Sequence, residues 1–167
     1  MEGFARPQRA QIGVKDKCNT LRLFRPDDMV RSSEMEAEEG KAAVLKIFDL
    51  KSCQTAPMEN GRGETIRLVN TGIGTEKIDL HLNRLFPGGQ RGRVHRHSQS
   101  DNVYIVRSGE GTLTADGATY TIRAEQIVFI PAGMPHSLSN LSNDVLEIFE
   151  IYAPAGRQFD FTAVEAS

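Results

Sequence analysis

Apolar and polar side chains alternate in short runs through the second two-thirds of the chain, the period expected of half-buried strands. The pattern predicts strands over residues 65–70, 77–86, 93–97, 102–107, 111–115, 119–123, 126–130, 136–139 and 145–152. Turn residues separate them: Pro87-Gly88-Gly89, Ser108-Gly109, Asp116-Gly117, Ala132-Gly133 and Asn143-Asp144. Asp116-Gly117 is the clearest two-residue hairpin signal. Many short strands joined by Gly and Pro turns, with almost no helix, predict an all-β antiparallel sandwich or barrel.

Upstream the periodicity is weaker. Residues 1–20 read as a polar arm, and 21–26 (LRLFRP) as a short strand ended by Pro26. In residues 27–40, Ser33 and Glu36 have capping-box spacing and Gly40 supplies a stop, which predicts one short acidic helix. Residues 41–50 (KAAVLKIFDL) fit a strand better than a helix, and 54–64 form a loop with Pro57, Asn60, Gly61 and Gly63. The chain thus divides into an arm (1–20), an extension (21–64), a barrel (65–155) and a tail or short edge strand (156–167).

Composition narrows the function classes. A length of 167 residues suits one domain with its own core. Twenty basic residues against 22 acidic ones leave a net charge of −2, which predicts neither nucleic-acid nor membrane-surface binding. No apolar run is long enough to span a bilayer, and the first residues lack a signal-like apolar stretch, so a cytoplasmic protein is expected. Cys18 and Cys53 have no paired spacing and are expected to be reduced thiols.

The candidate chemistry lies in GQRGRVHRHSQSDNVYIVRSG, residues 89–109. In an extended chain His95 and His97 project to one side and Arg96 to the other, so two imidazoles can share a metal ion. Asn102 follows five residues later, and IVFIPAGMPHSLSN, residues 127–140, supplies a second strand, a turn and His136. Alternation puts Asn102, Tyr104 and Val106 on one face; Tyr104 is a candidate proton donor or a barrel filler. Asp101, one residue away from Asn102, turns to the opposite face. Asp79, His81 and Asn83 form a polar stripe of the kind that ordinarily faces solvent; turned inward, His81 becomes an extra ligand or base. Among Arg91, Arg93, Arg96 and Arg107, Arg93 shares the His95 face and is the candidate clamp for a substrate carboxylate. Alternation alone does not assign the face of Glu147 or Glu150.

These residues resemble a family pattern. Gly89, His95, His97, Asn102 and Gly109, followed by Pro131, Gly133, His136 and Asn140, are similar in spacing to the two motifs of the cupins, over about residues 65–155. The resemblance implies a cupin double-stranded β-helix, or jelly-roll barrel, with a short N-terminal helix/strand extension. It implies one divalent transition metal ion, Zn, Fe, Mn or Ni, held by His95, His97 and His136. Two departures stand out: Asn102 occupies the place of an acidic ligand, and Glu125 that of a glycine. Asn102 is then a weak neutral ligand or a hydrogen-bonding neighbour of the centre.

The expected function is that of an enzyme using the metal as a Lewis acid on a small anionic carbonyl or hydroxy compound, of isomerase, lyase or decarboxylase type. The alternatives are an Fe(II)-dependent dioxygenase and a non-catalytic small-molecule-binding protein. The resemblance also implies a homodimer.

Overall fold

A computed structural model describes residues 12–13, 22–23, 45–88, 91–155 and 162–163. It separates into two compact units, residues 1–54 and 55–167.

In the first unit β1 (Ile12–Gly13) pairs antiparallel with β2 (Arg22–Leu23). The helix expected over 27–40 lies outside the described residues. The strand expected over 41–50 is not formed in its described part: residues 45–50 are irregular and Leu45 and Ile47 are exposed. An apolar pattern without a neighbouring strand to pair with leaves the backbone groups unladdered. Cys53 is disulfide-bonded, and Cys18 is the other cysteine of the sequence. This corrects the expectation of reduced thiols; the separation of the two in sequence carried no pairing signal.

The second unit is an antiparallel β-sandwich. One sheet has the order β10-β7-β12-β5-β4-β3, built from β3 (Ala56–Pro57), β4 (Gly63–Val69), β5 (Asp79–Leu85), β7 (Asp101–Ser108), β10 (Ile127–Ile130) and β12 (Leu146–Ala153). The other, β13-β6-β11-β8-β9, contains β6 (His95–Arg96), β8 (Glu110–Ala115), β9 (Ala118–Arg123), β11 (His136–Ser139) and β13 (Thr162–Ala163). Strand pairing carries the sandwich back to Ala56, within what reads as a loop from sequence, and the tail supplies an edge strand pairing with His95 and Arg96. No helix among the described residues is long and apolar enough to cross a membrane.

The period-2 pattern works as expected in the long strands. In β12, Leu146, Ile148, Glu150 and Tyr152 are buried, with partly exposed residues between them. In β7, Asn102, Tyr104 and Val106 are the buried set. The β8–β9 hairpin turns through Asp116 (φ 48°) and Gly117 (φ 77°), the two positive φ values that a type I′ turn requires.

Leu85, Val106, Leu113, Ile122, Leu138, Leu146 and Ile148 belong to one buried apolar cluster between the sheets. Asn140 closes the structure beyond β11: its Nδ2 donates to the carbonyls of Leu85 (2.8 Å) and Asp144 (2.7 Å). Its Oδ1 accepts from the Ser142 amide and hydroxyl. This asparagine therefore ties the β11–β12 connection to β5 and takes no part in the site.

Candidate functional site

β6 and β11 run antiparallel with His95 directly opposite His136. Because β6 is so short, His95 and His97 flank the exposed Arg96 and turn inward together. The three imidazoles form a compact group, with ring centroids 4.5 Å (His95–His136), 4.9 Å (His95–His97) and 5.6 Å (His97–His136) apart. One ring nitrogen from each lies within 4.8 Å of the others. An ion held about 2.1 Å from each nitrogen needs separations of roughly 3.0–3.4 Å, inside that limit.

Backbone carbonyls fix two of the rings. His95 Nδ1 donates to Arg93 O, and His136 Nδ1 to Met134 O, each at 2.9 Å, so in the neutral rings Nε2 carries the lone pair. Burial lowers the pKa of His95 to about 4 against the raising effect of the Arg93 carbonyl, and the other two imidazoles lower it further. Burial likewise lowers that of His136. Both rings are therefore neutral near pH 7. The Nε2 of His136 is buried without a hydrogen-bond partner. An orphaned buried acceptor between two other imidazoles fits a cation.

Glu150 is the centre of a polar cluster on the facing sheet. Its Oε1 accepts from Asn102 Nδ2 at 2.9 Å, and its Oε2 accepts from Asn83 Nδ2. Tyr104 and Tyr152 also hydrogen-bond it, and burial, reinforced by its charge, pushes both phenols well above their usual pKa. Both tyrosines therefore keep their protons. With Nδ2 turned to Glu150, Asn102 presents Oδ1 elsewhere, and that oxygen is buried without a hydrogen-bond partner. The amide thus offers a free neutral donor, which also fits a metal. Asp101 is exposed and accepts from the Ala132 amide at 2.9 Å, outside the site.

A cavity of about 650 Å³ adjoins these groups; His81, Asn83, His95, His97, Tyr104 and Glu150 are on its wall. The polar stripe of β5 therefore faces inward, correcting the expectation that it faces solvent. His81 and Asn83 line the cavity and Asp79 is buried beside His81, and their burial is offset by pairing: His81 Nε2 meets Asp79 Oδ1 at 2.6 Å, and Asn83 bonds Glu150. Arg93 lies at the cavity rim, exposed and paired with Glu59. Glu147 lies on the outer side, bonded to Arg84 at 2.7 Å and 3.4 Å from Arg107. Sequence reasoning left Glu150 unassigned and gave Arg62, another wall residue, no role. The β12 alternation of apolar Leu146 and Ile148 with Glu150 and Tyr152 was the available signal for Glu150; Arg62 had none.

The profile described as Cupin_2: Cupin domain matches residues 82–152. Among curated proteins, the chain is 25% identical to the oxalate-binding protein of Thermotoga maritima, over 68% of this chain and 96% of that one. It is 30% identical to the HTH-type transcriptional regulator PuuR of Escherichia coli, over 73% of this chain and 62% of the regulator. Among solved structures, the polyketide cyclase RemF from Streptomyces resistomycificus superposes with a TM-score of 0.64 at 17% identity, covering 74% of this chain and 87% of that one. The matched residues carry both histidine strands, most of the two facing sheets and part of the cavity wall; this stretch is a cupin domain.

Proposed function

We propose that the cavity is the active site of a mononuclear metal enzyme acting on a small anionic carbonyl or hydroxy compound, of isomerase, lyase or decarboxylase type. His95, His97 and His136 would hold the ion, with the Asn102 amide oxygen as a neutral fourth donor. A divalent ion bound there supplies Lewis acidity toward a substrate oxygen. The observation that carries the reading is the convergence of three inward imidazoles, two of them fixed by carbonyls, beside an open cavity with polar groups in its wall. Three imidazoles and an amide are a neutral ligand set that leaves a divalent ion its full charge toward an anionic ligand, an attraction that Glu150 on the same wall offsets in part.

The chain's own groups divide the remaining work. Tyr104, protonated and hydrogen-bonded to Glu150, would donate a hydrogen bond or proton to a substrate oxygen by turning its one O–H away from Glu150. His81, held by Asp79, is a second group able to exchange a proton within the cavity. Arg93 at the rim attracts an anion entering it. Exposed Ile127 and Phe129 on β10 support a homodimer, which sedimentation velocity decides.

A second reading, a ligand-binding protein without turnover, draws on the names of the oxalate-binding and regulatory relatives. Anaerobic assays of metal-loaded protein against hydroxy acids, keto acids and sugar phosphates separate the possibilities. Turnover without oxygen that is absent in His136→Ala supports the Lewis-acid enzyme. Turnover only with iron and oxygen supports a dioxygenase, and saturable binding without turnover supports the second reading.

A further inference from the structure

We propose that Arg62 and Thr65 form a carboxylate-binding wall of the cavity, so that the ligand is a small molecule carrying a carboxylate apart from the oxygens it presents to the histidines. The inference rests on reading this cavity as a site for a small anion.

Both residues line the cavity at the start of β4. The Arg62 backbone is held on both sides, its amide donating to Glu59 O and its carbonyl accepting from the Phe86 amide. Its Nη1 donates to Leu138 O at 3.1 Å. Gly92 makes that contact possible. A Cβ at position 92 would stand 2.5 Å from Nη1 and 2.9 Å from the Leu138 oxygen, so any side chain there would collide with the guanidinium or the backbone it grips. Arg62 is thus anchored through one arm.

No carboxylate pairs with Arg62 among the described residues, whereas Arg93 pairs with Glu59 and Arg84 with Glu64 and Glu147. Half-buried Arg62 forms part of the cavity wall, so its charge is presented there. An anchored guanidinium with unused N–H donors suits a planar, bidentate anion.

Thr65 supplies an independent observation. Its hydroxyl is buried without a hydrogen-bond partner, on the cavity side of β4 and opposite Asn83 in the sheet register. A buried hydroxyl left unmatched costs free energy until an acceptor or donor arrives. A carboxylate bridging Arg62 and Thr65 satisfies both groups, and its small organic body fits within about 650 Å³.

The test is isothermal titration calorimetry of the metal-loaded protein with oxalate, malonate and succinate at fixed ionic strength. We expect Arg62→Gln to weaken the best-bound dicarboxylate at least about tenfold, and the near-isosteric Thr65→Val by roughly three- to tenfold. Arg62→Lys, which keeps the charge and loses the fork, should lie between wild type and Arg62→Gln. Mn(II) affinity, read by electron paramagnetic resonance, should be unchanged in all three. Wild-type affinity in both Arg62→Gln and Thr65→Val overturns the inference, as does failure of the wild-type protein to bind any of the three acids. If the metal-loaded wild-type protein shows Arg62-dependent binding but no turnover of hydroxy acids, keto acids or sugar phosphates, this inference stands and the Lewis-acid reading falls.

Discussion

Asn102 Nδ2 donates to Glu150 Oε1 at 2.9 Å, joining the one motif position that lacks its expected carboxylate to a carboxylate on the neighbouring strand. In the β7–β12 register Glu150 lies opposite Tyr104, and Asn102 opposite Tyr152. A carboxylate absent from β7 is thus present one strand away, behind the amide. Its charge opposes the burial that lowers the pKa of His95 and His136.

This pairing predicts strong coupling between the two positions. Glu150→Gln keeps one acceptor oxygen and turns the other into an NH2 that must face the Nδ2 donor of Asn83 or Asn102, and should destabilise by about 2–4 kcal/mol. Asn102→Asp puts a second carboxylate against the first and should also destabilise. Urea unfolding of the double variant should show a loss smaller than the sum of the single losses. Additive losses would mean that the two side chains do not depend on one another.

The histidines predict a pH dependence for the metal-free protein. The folded-state pKa of His95 is about 4 and that of His136 is lowered, whereas unfolded imidazoles titrate near about 6.5. Between those values the unfolded chain binds more protons, so stability rises with pH. It is fully present above about pH 6.5 and is lost as the pH falls toward about 4. Denaturation midpoints across that window should climb with pH and flatten in His95→Gln and His136→Gln; an equal slope in the variants would contradict the assignment.

Glu125 predicts a stabilising substitution. It is exposed with φ 70°, a backbone conformation that costs a side-chain-bearing residue about 1–2 kcal/mol. Part of that gain is offset by the greater unfolded-state freedom of glycine, so Glu125→Gly should stabilise by roughly 0.5–1 kcal/mol. Its amide bond to Val106 O should survive. A lower melting temperature would show that the Glu125 side chain makes a compensating contact.

Cys53 predicts a redox signature in the first unit. Intact mass under non-reducing, non-denaturing preparation should fall short of the reduced chain by two hydrogens, with thiol reagents unreactive until a reductant is added. Two titratable thiols in freshly oxidised protein would contradict the bond.

The barrel was legible because its signals are local. Alternation fixed the inward faces of β7 and the hairpin at Asp116-Gly117, and the spacing of His95, His97 and His136 marked residues that β6 and β11 bring side by side. What alternation does not carry is which side of a strand is the inside when both sides hold buried residues. The stripe Asp79-His81-Asn83 looked like a solvent face because a polar cavity and bulk water select the same residue types. Glu150 stayed unassigned for that reason. Arg62 was hidden more completely, in a stretch that reads as loop, with a role set by the distant Gly92 and Leu138.

The central claim is that His95, His97 and His136 form a metal centre, and elemental analysis tests it most directly. Protein purified without added metal and without a histidine tag should carry near-stoichiometric divalent transition metal. That metal should be lost in folded His95→Ala and His136→Ala and held more weakly in Asn102→Ala. Wild-type protein that stays empty after incubation with manganese, iron, nickel and zinc in turn would contradict the account.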